Sequence, residues 1–418
     1  MTTLLLSQNA DYLIIGGGTA SLMVANRLSE NSETQVVVLE SGPDRTTDAR
    51  VQDPNARPTL RGSELDWQLK IVPQTGLSNR EQDQPAGKTP FPAGINAWAE
   101  LGNPIGPIEV TYPSLREKKN SPVIETWDVA LKGQRYDFAS HISGGEKTTP
   151  ISGLRSITDS QYARPTRSNL HIYTETTVRK INGEIVNVNV KEVVILAAGA
   201  FHSPKLLERS RVGQKDRLNR LGIPVNHLMG VLPAPLKVEG IATCIKALAF
   251  TRLDEKEQVF SSSHKTETSE RVIKSILRGR DEASASLLLS VIPGGIALLG
   301  VILSFPLFRG STQIASSDPN AKPIIDTQFF ANDMEILWDM EVTKEMVYES
   351  AALTTHRICG TVAMLPQQAG GVADEDLRVY GTKNLRAVDA SAIPLTHANL
   401  MTTVYAVAEQ AADVIQSS

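Results

Sequence analysis

Residues 11–42, DYLIIGGGTASLMVANRLSENSETQVVVLESG, constrain the fold more than any other stretch of the chain. YLII is a short unbroken apolar run, and the three glycines after it signal a turn. Leu22, Ala25 and Leu28 then recur at helical spacing before the polar SENSET, and VVVLE is a second buried run. The pattern predicts a strand–turn–helix–strand (βαβ) unit. Gly16, Gly18 and Ser21 occupy the three positions of a GxGxxG fingerprint. Its first glycine makes the tight turn, its second lets backbone N–H groups approach a pyrophosphate, and its third packs helix on strand; serine stands third here. Glu40 ends the second strand, where a carboxylate accepts hydrogen bonds from an adenosine ribose and repels a 2′-phosphate. The unit points to a dinucleotide without a 2′-phosphate, with an empty doubly wound domain as the alternative.

The 418 residues, 41% of them hydrophobic, suffice for a large core and two or three domains. Lys and Arg number 42 against 46 Asp and Glu, a net charge of -4, which lacks the cationic excess that nucleic-acid binding needs. The two cysteines, Cys244 and Cys359, make no CxxC pair, so neither a disulfide framework nor a metal site is expected. The N-terminal stretch has no basic n-region and only a three-leucine apolar run, so no signal peptide and a cytoplasmic location are expected. Residues 286–308, SLLLSVIPGGIALLGVILSFPLF, have the length of a membrane span and no charge. Pro293, Gly294, Gly295, Gly300 and Pro306 break that run, which predicts short strands rather than a spanning helix.

A second strand, EVVILAAGA (192–200), leads into FHSPKLLERS, read as a turn and then a helix. NLRAVDASAIP reads as a strand and turn before a C-terminal helix, with Leu400, Val404, Val407, Ala411 and Val414 on one face and Asn399 at the N-cap. Residues 43–165 and 252–282 are polar and weakly patterned.

Taken in order, GGGTAS, DWQLKIVPQ (66–74), NLHIYTETTVRKI (169–181), VVILAAGAFHSPKLLERS (193–210), RGSTQIASSDPNAKPIID (309–326) and GGVADEDLRVYGTKNLRAVDASAIP with its helix resemble the glucose-methanol-choline (GMC) oxidoreductases. The resemblance implies an α/β fold, with a Rossmann-like FAD-binding domain and a second α+β substrate domain built on a mixed or antiparallel sheet packed by helices. The FAD domain is expected from 8–104, 166–237 and 358–418, and the substrate domain from 105–165 and 238–357. FAD is the implied cofactor. Gly16, Gly18, Thr19, Ala20 and Glu40 are expected to hold its ADP half and Val178 to meet the adenine through its backbone. Asp389 and Ala390 are expected against the flavin, with Asn399, Leu400 and Met401 aiming a helix N-terminus at the pyrimidine. The implied activity is oxidation of a small-molecule alcohol, as in alcohol and choline dehydrogenases, by proton abstraction and hydride transfer to flavin N5.

The family's catalytic histidine lies in an HxxGT motif, but in TTHRICGTVAML (354–365) that position holds Arg357, and His356 stands one residue early. A one-residue bulge at Ile358 or Cys359 would re-aim His356, the expected base. His397 is its rival, and Asn399 matches the family's second catalytic position, as a hydrogen-bond donor to the forming alkoxide. The family's GGSSxxN segment is absent after Gly87-Lys88, which TPFPAGINAWAELGN follows, and NHLMGVLPAP (226–235) replaces an NLQDH-like motif. A non-redox cyclase or lyase resembling versicolorin B synthase, or a catalytically impaired member, are the alternatives.

Overall fold

The computed structural model describes residues 9–45, 47–52, 56–88, 167–181, 189–221, 227–228, 234–237, 245–251, 275, 285–292, 296–303, 309–329, 357–395 and 400–418. The expected βαβ unit forms from β1 (Asn9–Ile15), α1 (Thr19–Leu28) and β2 (Val36–Leu39). Two single-turn helices, α2 (Ala49–Gln52) and α3 (Arg57–Leu60), lead to the antiparallel pair β3 (Leu69–Gln74) and β4 (Arg80–Gln84). Later come β5 (Leu170–Tyr173), β6 (Asn189–Leu196) and α4 (Gly199–Arg209). Next, β7 (Val212–Gly213) and α5 (Lys215–Arg220) precede β8 (His227–Leu228), which pairs with β7. The following strands are β9 (Ala234–Lys237), β10 (Ile245–Thr251), β11 (Ala285–Ile292), β12 (Ile296–Leu303), β13 (Arg309–Gln313) and β14 (Ile324–Asp326). The C-terminal part holds β15 (Arg357–Ile358), β16 (Leu385–Ala387) and α6 (Leu400–Gln416).

These strands make an all-parallel sheet in the order β16-β6-β1-β2-β5, a mixed sheet in the order β15-β9-β13-β14-β3-β4, and an antiparallel sheet β10-β11-β12. The fold is therefore α/β, with a Rossmann-like parallel sheet and a mixed sheet beside it. Strand alternation builds the first sheet's two cores. Ile14, Val36, Val38 and Ile195 pack with Met23, Val24, Val404 and Ala408 of α1 and α6. Ile15 and Leu196 face the other way, onto Leu206 and Leu207 of α4. Asn169 closes the turn after α1, its side-chain NH2 donating to the carbonyls of Ser29, Asn31 and Thr34.

One expectation holds and two change in detail. Within the apolar run 286–308 the described residues are strands, as expected: β11 and β12 pair antiparallel, with Ile292 opposite Ile296 and Ala285 opposite Leu303, and among the described residues no helix is long and apolar enough to cross a membrane. FHSPKLLERS does not begin with a turn, because the helix already starts at Gly199 and carries Pro204 within it. Pro204 has no N–H for the Ala200 carbonyl, and the Thr361 hydroxyl donates to that carbonyl at 2.7 Å instead. On α6 the expected Leu400, Val404 and Ala411 are buried, joined by Tyr405, Ala408, Ala412 and Ile415, while Val407 and Val414 lie on the flank of the stripe. Tyr405 and Ile415 reach the core beside α1, which turns the helix toward them.

Thr361→Val leaves the Ala200 carbonyl without a donor. It is expected to cost about 1–3 kcal/mol in urea unfolding, and Thr361→Ser is expected to restore most of the loss.

Candidate active site at the C-terminal edge of the parallel sheet

All five parallel strands end at one edge, the place where open α/β sheets bind ligands. The Gly16–Gly18 turn follows β1, Glu40 follows β2, Val178 lies beyond β5, Gly199 opens α4 after β6, and Asp389 and Ala390 follow β16. Two helix starts reach the same edge. Arg27 of α1 is ion-paired to Glu409 and, at 2.8 Å, to Asp413, and Gln416 donates to the Arg27 carbonyl, so α1 and α6 run parallel. Counting back about 12 Å along each helix, at 1.5 Å per residue, reaches Thr19 on one and Met401 on the other. Neither helix has an acidic residue in its first turn, so two positive dipole ends face the edge.

The turn explains its own residues. Gly16 has φ +110°, and a Cβ there would lie 2.3 Å from the Ala197 carbonyl oxygen. Gly18 caps α1 without a side-chain hydrogen bond, and a Cβ added to it meets nothing within 4 Å, so the free N–H groups of the first turn open onto space. Ser21, at the third fingerprint position, is fully buried and donates its hydroxyl to the Ala197 carbonyl at 3.0 Å, tying α1 to the end of β6. Thr19 and Ala20 are buried beside it.

Glu40 is buried, and its two carboxylate oxygens accept from the Gly17 and Gly42 N–H groups, each at 2.6 Å. Burial pushes its carboxyl above the ordinary range, opposed by those two N–H groups and by the Lys88 charge. The backbone of Glu40 also bonds to Tyr173 and Thr176, which carries the 174–178 segment to the acid; Val178 packs against Leu13 and Leu39 and against Ile15 and Leu196.

Asp389 is also committed to protein groups. One carboxylate oxygen accepts from the Gly199 N–H (2.8 Å) and the Ser203 hydroxyl (2.6 Å), the other from the Ser391 N–H (2.6 Å). It thereby clamps the start of α4 to the turn after β16. Ala390 packs between two core clusters, and its carbonyl accepts from Gly360 N–H. Leu400 is core, with Met401 packed at its margin. His356, His397 and Asn399 lie outside the described residues. β15 pairs Arg357 with Lys237 and Ile358 with Leu236, with no register shift between them.

Three side chains at this edge had not been singled out. Trp67 stacks on His202 of α4, ring centroids 4.3 Å apart and planes at 41°, and the Lys88 ammonium lies 4.9 Å from the Trp67 ring centre. Burial, helped by the Lys205 charge, pushes the His202 imidazole far below its ordinary range, so the ring is neutral at pH 7. The tryptophan in DWQLK and the lysine in the Gly-Lys pair were readable, but nothing in the sequence pairs them.

Comparison with known proteins decides the family. Residues 337–408 match the family model described as GMC oxidoreductase, and the surrounding chain aligns with members of that family along its length. The chain belongs to the GMC oxidoreductases. A GMC oxidoreductase family protein of Malassezia sympodialis, Mala s 12, is 27% identical, with 97% of this chain and 92% of that protein aligned. A pyranose dehydrogenase of Agaricus xanthodermus is 24% identical over 98% of this chain and 93% of its own. Among solved structures, pyridoxine 4-oxidase from Mesorbium loti superposes with a TM-score of 0.75 at 20% identity, covering 98% of this GMC chain and 100% of the other. The alignment with Mala s 12 runs to 568 positions, against 418 residues here, so this GMC oxidoreductase lacks whole internal blocks that its relative carries.

Proposed function

We propose that this GMC oxidoreductase binds FAD and oxidises a small alcohol, as a dehydrogenase or an oxidase. The observation that carries the proposal is the open, N–H-lined glycine turn beside a buried acid. The space in front of Gly18, the uncapped start of α1 and the Glu40 carboxylate suit a diphosphate joined to an adenosine ribose. The Ser391 hydroxyl, fully buried in the turn after Asp389, has no hydrogen-bond partner among the described residues, which further suits a polar ligand there. The partition into an FAD domain (8–104, 166–237, 358–418) and a substrate domain (105–165, 238–357) belongs to the same proposal.

Bound flavin supplies a hydride acceptor at N5. The chain's own part is binding, orientation and proton transfer. Gly16, Gly18, Thr19, Ala20 and Glu40 would hold the ADP half, Val178 would meet the adenine through its backbone, and Asp389 and Ala390 would lie against the flavin. Leu400 and Met401 bring the positive end of α6 to the pyrimidine. His356 takes the alcohol proton, with His397 as its rival, and Asn399 donates to the forming alkoxide. Relatives named for a pyranose and for pyridoxine support a hydroxyl-bearing substrate.

Because burial raises the Glu40 carboxyl above its ordinary value of 4.5, adenosine affinity is expected to fall as pH drops through a midpoint above that value. The same titration on Glu40→Gln is expected to be flat and weak. Anaerobic mixing of the flavin-loaded protein with primary and secondary alcohols tests the redox step. Bleaching by one of them is expected; a bound flavin that none reduces would contradict alcohol oxidation and favour the non-redox alternative.

A further inference from the structure

Beside the Gly360–Thr361 pair, toward the C-terminal half of α4, lies a cavity of about 40 Å³, partly open to solvent. One water needs roughly 10–15 Å³ on the same measure, so there is room for about three waters, or for a molecule of about four heavy atoms. The walls are apolar: Pro204 and Leu207 of α4, Val212 of β7, and Val362 and Val372. Two polar side chains join them, Glu208 of α4 and Thr312 of β13, while the Thr361 hydroxyl is already spent on the Ala200 carbonyl. Burial alternates along β13, which turns Thr312 inward between its half-exposed neighbours Ser311 and Gln313. Thr312 is 7% exposed, and its hydroxyl has no hydrogen-bond partner among the described residues. A buried hydroxyl left unpaired costs stability, so this one is arranged for a guest. Glu208 is 5% exposed; its Oε2 accepts from the Ile314 N–H at 2.7 Å, and its Oε1 lies 3.8 Å from Arg217 Nε of α5. That separation is too long for a hydrogen bond, and the buried Nε–H has no partner among the described residues either. The carboxylate disfavours an acid and the guanidinium beside it disfavours an amine. An uncharged hydroxyl can donate to Glu208 and accept from Thr312 while its alkyl part lies against the valines.

We propose that this cavity is a separate small-molecule site, which takes a neutral short-chain alcohol with its hydroxyl held between Glu208 and Thr312. The site lies apart from the glycine turn. Its wall at Gly360 and Val362 donates through backbone N–H groups to the Ala390 and Ser391 carbonyls, which sets it one strand behind the turn after β16. Occupancy needs no flavin, so the proposal stands or falls independently of the dinucleotide reading.

Saturation-transfer NMR on the flavin-free full-length chain, with 1-propanol, propionate and propylammonium offered in turn, reads binding and charge selectivity together. Propanol is expected to receive saturation from the protein, and the two ions are not. Thr312→Val keeps the shape and removes the hydroxyl, and is expected to weaken propanol by about three- to tenfold, the range of one neutral hydrogen bond. Thr312→Ser is expected to retain it. Ala363→Leu fills the cavity from its wall and is expected to abolish binding; urea midpoints show which variants fold, and if this one does not, the Thr312 pair decides. Propanol bound by Thr312→Val as tightly as by the wild type would place the alcohol elsewhere and overturn the proposal. A folded wild-type chain that binds no propanol would also overturn it and leave the cavity to water only, and so would binding of either ion as tight as that of propanol.

Discussion

Gly16→Ala is expected to destabilise the protein by about 2–5 kcal/mol, from the cost of a left-handed backbone at a residue with a side chain plus an overpacked contact. The added methyl would lie 2.3 Å from the Ala197 carbonyl oxygen and 2.8 Å from its carbon, and both are backbone atoms at the end of β6. Neither β1 nor β6 can retreat, because six residue pairs register them side by side in the sheet. Such a loss is a large share of the about 5–15 kcal/mol that holds a domain folded, so low soluble yield or a much lower urea midpoint is the expected readout. Gly18→Ala supplies the contrast. Its φ is -81° and its surroundings are open, so a midpoint within about 1 kcal/mol of wild type is expected, with ADP affinity lost because the methyl fills the space the phosphates need. Equal stability losses in the two variants would contradict the division of labour between these glycines.

Asp389→Ala is expected to cost about 3–5 kcal/mol, since it strips the acceptor from three donors in a region where Asp389 itself is 5% exposed. Asp389→Asn keeps the shape but turns an NH2 toward donors on one side, and an intermediate loss is expected. Because the clamp joins α4 to the turn after β16, both variants are also expected to weaken flavin binding more than ADP binding. Weakening of the two ligands in equal measure would place Asp389 outside the flavin end.

The parts of the fold that could be read in advance are those dictated by local pattern. YLII and VVVL are unbroken apolar runs because they form central strands covered on both faces, and the glycine turn between them follows from backbone geometry. Glu40 was legible for the same reason, as the first polar residue after a buried strand. What escaped were groups whose meaning lies in a distant partner. Ser21 looks like a failed glycine until the Ala197 carbonyl stands above it. Thr361 looks like half of a catalytic motif until Pro204 is seen to have left the Ala200 carbonyl unpaired. β15 is two residues long and has no periodicity to detect, so its pairing with β9 could only come from tertiary structure. The α6 stripe was read in part, at Leu400, Val404 and Ala411, and its centre was missed because alanine is apolar enough for either face, and packing on α1 chose between them.

Under the proposed function, the C-terminal edge of the parallel sheet is a working flavin site in spite of the absent internal blocks. The most direct measurement is the visible spectrum of the purified full-length chain, titrated with FAD and then passed through a desalting column. Flavin bands that stay with the protein at one equivalent per chain, and that are lost in Gly18→Ala, are expected. A chain that folds but retains no flavin, with no equivalence point in the titration, would contradict it.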